Sequence, residues 1–107
     1  MKQEIDEIQL LTLSDKGLDN LHKWCNEKDY YINRNNFKIP LLSVGQMIEF
    51  LDEHNLIDIH RVGNSIGSGY QWKVQMEPDQ FYGDVSFKGY DELCAALFEA
   101  VKTILEQ

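Results

Sequence analysis

Apolar and polar residues follow a helical period in two stretches of the second half of the chain. Ser43 and Gln46, three residues apart, have the spacing of a capping box, which predicts that a helix begins after Ser43. A second helix is predicted to begin at Asp91, a residue suited to the N-cap, and to run to about Glu106. Their apolar stripes are Val44, Met47, Ile48 and Leu51 in the first helix, and Leu93, Ala96, Leu97, Ala100, Val101 and Ile104 in the second.

Between these helices the pattern predicts three strands, over Leu56–Val62, Tyr70–Met76 and Asp84–Lys88. Apolar and polar residues alternate in them, which is typical of antiparallel strands with one buried face. The side chains expected to face the core are Ile57 and Ile59, then Tyr70, Trp72, Val74 and Met76, then Val85 and Phe87. Because short loops join the elements, we expect a meander of three strands with helices on its apolar face. The sequence therefore predicts an α+β sandwich in a single domain.

The first part of the chain has weaker patterns. Ile5, Ile8 and Leu11 recur at three-residue spacing and predict a short helix within residues 2–11. Ser14 is expected to cap a second helix. The residues expected on one face of that helix are Leu18, Leu21, His22 and Cys25.

Residues 28–40 lack a clear period, and their asparagine-rich run 33–36 predicts a turn. Several aromatic residues occur in this connection and in the later one around Phe81 and Tyr82. Aromatic residues outside regular elements either seal the edge of a core or form a hot spot for a partner. The pair Phe81 and Tyr82 is a candidate partner-binding site.

Charge narrows the classes of function. The 107 residues include 18 acidic and 10 basic side chains, which gives a net charge of -8 and a pI near 4.7. A compact acidic protein repels phosphate, so direct binding of nucleic acid is disfavoured. The same charge favours a protein partner with a basic surface, although solubility alone also explains it. Glu49, Asp52, Glu53 and Asp58 are predicted to form an acidic patch that such a partner would contact.

Cysteine and histidine spacing predicts no metal site. His22 and Cys25 lie one helical turn apart but form only half of a usual zinc motif, so Cys25 is expected to be a buried core residue. Cys94 is expected to be buried as well, and no CxxC pattern is present. No catalytic residue and no cofactor are predicted. The charged N-terminus and the cysteine usage favour a cytoplasmic protein.

The glycine-rich stretch from Gly63 through Gly67 to Gly69 is predicted to be a mobile loop between strands. Its backbone amides suit an anion, but it lacks the lysine and the following helix of a phosphate-binding loop. A connecting loop and a ligand-binding loop therefore remain alternatives.

The order of elements from Leu42 to Gln107, with the last helix opening in Leu93-Cys94-Ala95-Ala96-Leu97, resembles small accessory proteins of phages and prophages. The resemblance is to members with an α-β-α sandwich domain, and it transfers no catalytic residue. It implies an origin in a mobile element and a binding role.

Three hypotheses follow. The first is a non-enzymatic module that acts by protein–protein contact, with a homodimer as one possible form. The second is an acidic mimic of nucleic acid that inhibits a host defence nuclease, as anti-CRISPR proteins do. The third is a small enzyme or ligand-binding protein that uses the Gly63–Gly69 loop.

Overall fold

The structure, a computed structural model, describes residues 3–54, 56–63, 70–77, 86–90 and 92–107. The fold is α+β, as predicted. Within the described residues the elements in chain order are α1 (Glu7–Leu10), α2 (Asp15–Lys28), β1 (Ile32–Arg34), β2 (Phe37–Ile39), α3 (Val44–Asp52), β3 (Leu56–Gly63), β4 (Tyr70–Met76), β5 (Ser86–Tyr90) and α4 (Leu93–Leu105).

The predicted meander is confirmed. β3, β4 and β5 form an antiparallel sheet in that order, with Ile59 opposite Val74 and Val74 opposite Phe87. α3 and α4 pack against each other and against this sheet, and α2 packs on α4. The buried side chains form one cluster, and α4 contributes more of them than any other described element. The apolar stripe of α4 is broad, so α2, α3 and the sheet can all pack against this helix, which places it at the centre of the core.

The connection over residues 28–40 contains a β-hairpin. β1 and β2 pair antiparallel, and Arg34 lies opposite Phe37 across the predicted turn. Asn35 and Asn36 both have left-handed backbone, with φ of 50° and 67°, which asparagine tolerates better than most residues. Tyr30 and Tyr31 pack against the core, whereas Phe37 is exposed.

The predicted helix starts are correct at Ser14 and Ser43. The Ser14 hydroxyl accepts the amide of Gly17, and Ser43 and Gln46 form both bonds of a capping box. The prediction that Asp91 is the N-cap of α4 is wrong, because the N-cap is Glu92, whose side chain makes no capping bond. A broadly apolar helix draws its stability from packing, so it does not require a strong cap.

The predicted alternation of β3 is wrong at Ile57. A bulge between Leu56 and Asp58 adds one residue to β3, so Leu56 and Ile59 face the core and Ile57 is 56% exposed. The bulge reverses the side on which the first part of the strand presents its residues. Gly63, predicted to lie in the loop, is the last residue of β3.

The short helix predicted within residues 2–11 is present as Glu7–Leu10. It does not include Ile5, because residues 3–5 run extended beside the start of α3. The Ile5 amide donates to the Leu42 carbonyl at 2.9 Å, and Ile5 is buried. Pairing with a neighbouring segment therefore prevails over the local three-residue spacing.

Candidate functional site

Two of the four predicted partner-binding acids, Glu49 and Glu53, bond to residues of α2 and to Tyr30, which follows it. The Glu53 carboxylate forms an ion pair with Lys28 Nζ at 2.8 Å. It also accepts a hydrogen bond from the indole Nε1 of Trp24, at 2.8 Å. The Glu49 carboxylate accepts a hydrogen bond from the hydroxyl of Tyr30 at 2.7 Å. Its Oε1 atom lies 3.5 Å from Lys28 Nζ. Lys28 is thus placed between both carboxylates, and these bonds join α3 to the end of α2.

The ionisation of these groups reflects the contacts. The hydrogen bond from Lys28, followed by that from Trp24, lowers the pKa of Glu53. The hydrogen bond to Glu53 raises the pKa of Lys28. The hydrogen bond to Glu49 raises the pKa of the Tyr30 hydroxyl, because ionisation would place two negative charges together. The lowered pKa keeps Glu53 charged at neutral pH, and the Lys28 ammonium group lies close to both carboxylates.

Aromatic side chains support the same cluster. The ring of Trp24 meets Tyr30 and Phe50 edge to face, at centroid distances of 5.5 and 5.3 Å. Trp24 and Phe50 are buried. Aromatic pairs in this geometry stabilise a fold by more than the burial of their surface area alone. Glu49 and Glu53 thus form part of the contact between α2 and α3.

The other two predicted acids lie on different elements. Asp52 is exposed on α3. Asp58 accepts a bond from His60 Nδ1 at 2.7 Å. Because Ile59 faces the core, its neighbour Asp58 projects from the sheet face that points away from the helices. The structure thus links Glu49 and Glu53 through Lys28, whereas Asp58 bonds to His60 on β3.

The remaining predicted positions are mostly outside the described residues. Phe81 and Tyr82, the aromatic candidates, lie there, as do Gly67 and Gly69 of the predicted mobile loop. Gly63 is described and belongs to β3.

Cys25 and Cys94 are both buried, as predicted. Burial raises the pKa of the Cys25 thiol to about 12, so the thiol stays protonated at neutral pH and is a poor nucleophile. His22 contacts Tyr31 instead, with Nδ1 3.4 Å from the hydroxyl oxygen. Among the described residues, no group of three or more histidine, cysteine or acidic side chains is placed so that it could hold a metal ion.

The structure adds a surface that the pattern analysis missed. Ile8 and Leu11 are 74% and 84% exposed, although both are large aliphatic residues. They lie three positions apart on and just after α1, so their side chains are neighbours on its outer side. Leu10 and Leu13 contact the core instead. We call residues 3–11 the N-terminal segment.

A groove runs beside the exposed pair. It has a volume of about 470 Å³, and its lining residues are Gln3, Glu4, Ile5, Asp6, Glu7, Ile8 and Leu41. Ile5 and Leu41 are buried and form an apolar floor. The sequence signal for this site was the three-residue spacing of Ile5, Ile8 and Leu11, from which only a short helix was predicted.

Comparison with known proteins returned no match to any protein-family model, to any curated protein or to any solved structure. Among the described helices, none combines the length and apolar character needed to cross a bilayer.

Proposed function

We propose that this chain is a non-enzymatic accessory module, of the phage or prophage type that its resemblance implies, and that it acts by protein–protein binding. The exposed pair Ile8 and Leu11 supports this function most directly. Exposed aliphatic side chains that adjoin a groove are typical of surfaces that a protein partner covers. The contact surface proposed is therefore the N-terminal segment.

The alternative of an acidic mimic of nucleic acid has less support. A mimic presents its carboxylates to a basic groove, but Glu49 and Glu53 already bind Lys28. Using them would require breaking bonds that join α2 to α3. Asp58 projects from a different face. The net charge of -8 still favours a basic partner, but through another part of the surface.

The test is capture of a partner by three immobilised forms of the full chain: the wild type, the double variant Ile8→Ser/Leu11→Ser, and Ile57→Ser. Ile57 is an exposed aliphatic residue on β3, which makes it a matched control. All three substitutions are at exposed sites, so each is expected to change the free energy of unfolding by about 0.5 kcal/mol or less. Thermal unfolding verifies that the variants fold.

The expected result is a protein from a bacterial host lysate that the wild type and Ile57→Ser retain and the double variant loses. Retention of the same proteins by all three forms would show that the N-terminal segment is not the contact surface. Turnover of a small molecule by the purified chain would argue against a non-enzymatic role.

A further inference from the structure

β3 lies at one edge of the three-stranded sheet, with β4 on its inner side. From Asp58 to Gly63 each residue of β3 has a partner on β4 in unbroken register. Alternate residues of such a strand direct their backbone amide and carbonyl groups away from the neighbouring strand. Among the described residues, no backbone group bonds to β3 from its outer side. Within the described chain, this edge is therefore available to a further strand.

The features that usually keep an edge strand from pairing are sparse on β3. Proteins protect such edges with lysine, proline and bulges. β3 contains neither lysine nor proline, and its bulge is confined to the step from Leu56 to Asp58. β5, the opposite edge of the sheet, has only five residues and includes Lys88. Of the two edges, β3 is the one suited to pairing.

The side chains of β3 are complementary to those of a second β3 strand. Asp58 and His60 flank Ile59, which faces the core, so both project from the sheet face away from the helices. In an antiparallel pair with Ile59 opposite the second copy's Ile59, each Asp58 lies opposite the other copy's His60. Side chains that lie directly opposite each other share one face of a sheet, so the helices of both copies fall on the same side.

The contacts of Asp58 and His60 within the chain are compatible with this pairing. His60 Nδ1 lies 2.7 Å from Asp58 Oδ2, and the two side chains are about half exposed. A carboxylate has a second oxygen and an imidazole a second nitrogen, so each group can also bond across the axis. Lys73 lies opposite His60 on β4 and adds positive charge on the same face, whereas Gln75, opposite Asp58, is neutral.

We infer that two copies of this chain associate through β3, antiparallel and about a twofold axis at Ile59, so that their two sheets become one continuous sheet. Such an interface uses the same residues of both copies and closes on itself, so association stops at the dimer. The new ladder is short, like the three pairs between β1 and β2, so the dimer is expected to be weak. This inference goes beyond the proposed function and uses no residue of the N-terminal segment.

The test is sedimentation of the full chain over a series of concentrations that reaches the millimolar range. A reversible equilibrium between monomer and dimer is expected. Amide chemical shifts of the ¹⁵N-labelled chain, followed on dilution, locate the contact. Shifts that depend on concentration are expected in residues 57–61, and not in residues 3–11 or in β5.

Charge exchange on β3 tests the pairing itself. His60→Asp places two carboxylates opposite each other twice in the dimer and is expected to weaken association about tenfold. Asp58→Lys/His60→Asp restores opposite charges and is expected to recover the affinity of the wild type to within about threefold. Asn33→Asp adds the same charge at an exposed site on β1 and is expected to change association by about twofold or less. Thermal unfolding verifies that these variants fold.

Three outcomes would overturn the inference. The first is a single monomeric species at every concentration. The second is a dimer whose shifts fall on residues 3–11, because the second copy would then cover the N-terminal segment. The third is an affinity of Asp58→Lys/His60→Asp as low as that of His60→Asp, because the two strands would not pair about Ile59. The capture experiment depends on Ile8 and Leu11, so the proposed function and this inference can each fail alone.

Discussion

Gly17 makes room for the contact that joins the beginning of α2 to the end of α4. A Cβ atom at this position would overlap with Oε1 of Glu106. That carboxylate accepts a hydrogen bond from the Ser14 amide at 2.8 Å and a second one from the Ser14 hydroxyl. Asn20 adds a bond from its side-chain amide to the Leu105 carbonyl at 2.8 Å. The first turn of α2 is thus bound to the last turn of α4.

The effect of replacing Gly17 therefore depends on Glu106. In an unobstructed helix, Gly17→Ala would stabilise the protein by about 1 kcal/mol through helix propensity. In the wild type we expect a smaller gain or a loss, because the added methyl group displaces the carboxylate. In a Glu106→Ala background we expect the full gain. Urea unfolding of the wild type, the two single variants and the double variant measures the coupling between positions 17 and 106. Equal effects of Gly17→Ala in both backgrounds would contradict it.

Acid stability tests the same contact through ionisation. The hydrogen bonds from Ser14 lower the pKa of Glu106 below its ordinary value of 4.5. A lowered pKa in the folded protein contributes stability above the unfolded pKa, and this contribution is lost as the pH falls through the folded pKa. Glu106→Gln should therefore be less stable than the wild type at neutral pH and lose less stability between about pH 5 and about pH 3. Parallel curves for the two proteins would rule out the contact.

Single residues show which features can be predicted from sequence alone. The caps Ser14 and Ser43 were predicted correctly because a cap and its amide lie within one helical turn. The bonds between Glu53 and Lys28 were not predicted, because the partners are on different helices and no short-range spacing relates them.

At the scale of the element, β3 shows how the sheet overrides a local pattern. Ile59 faces Val74 and Leu56 faces Met76, so residues three apart on β3 match residues two apart on β4. The additional residue is displaced as a bulge, and Ile57 points outward. The alternating pattern of β3 contained no sign of this, because a bulge is defined by the register with a second strand.

The bulge predicts unequal effects of two isoleucine substitutions. Ile57→Ala should change the free energy of unfolding by about 0.5 kcal/mol or less, as for other exposed positions. Ile59→Ala should destabilise by about 2 kcal/mol, because Ile59 packs against the core. Urea unfolding measures both. Regular alternation, which would bury both residues, predicts similar losses.

At the scale of the whole molecule, the predicted architecture was correct where it followed from apolar periodicity. The order and type of the elements from α3 to α4 agree with the prediction. The candidate site was predicted less well, because acidic residues were selected by composition and the structure shows two of them in bonds between helices. The exposed pair Ile8 and Leu11 was missed because exposure depends on how the first residues pair with residues 42–44.

The most direct test of the account is the footprint of a bound protein, measured by hydrogen exchange of the full chain with and without the partner that the wild type captures. If the N-terminal segment is the contact surface, protection on binding should be concentrated in residues 3–11 and 41–44. The amides of β3, near Asp58, should exchange as in the free chain. Protection of α3 and β3 with no change in residues 3–11 would contradict the account.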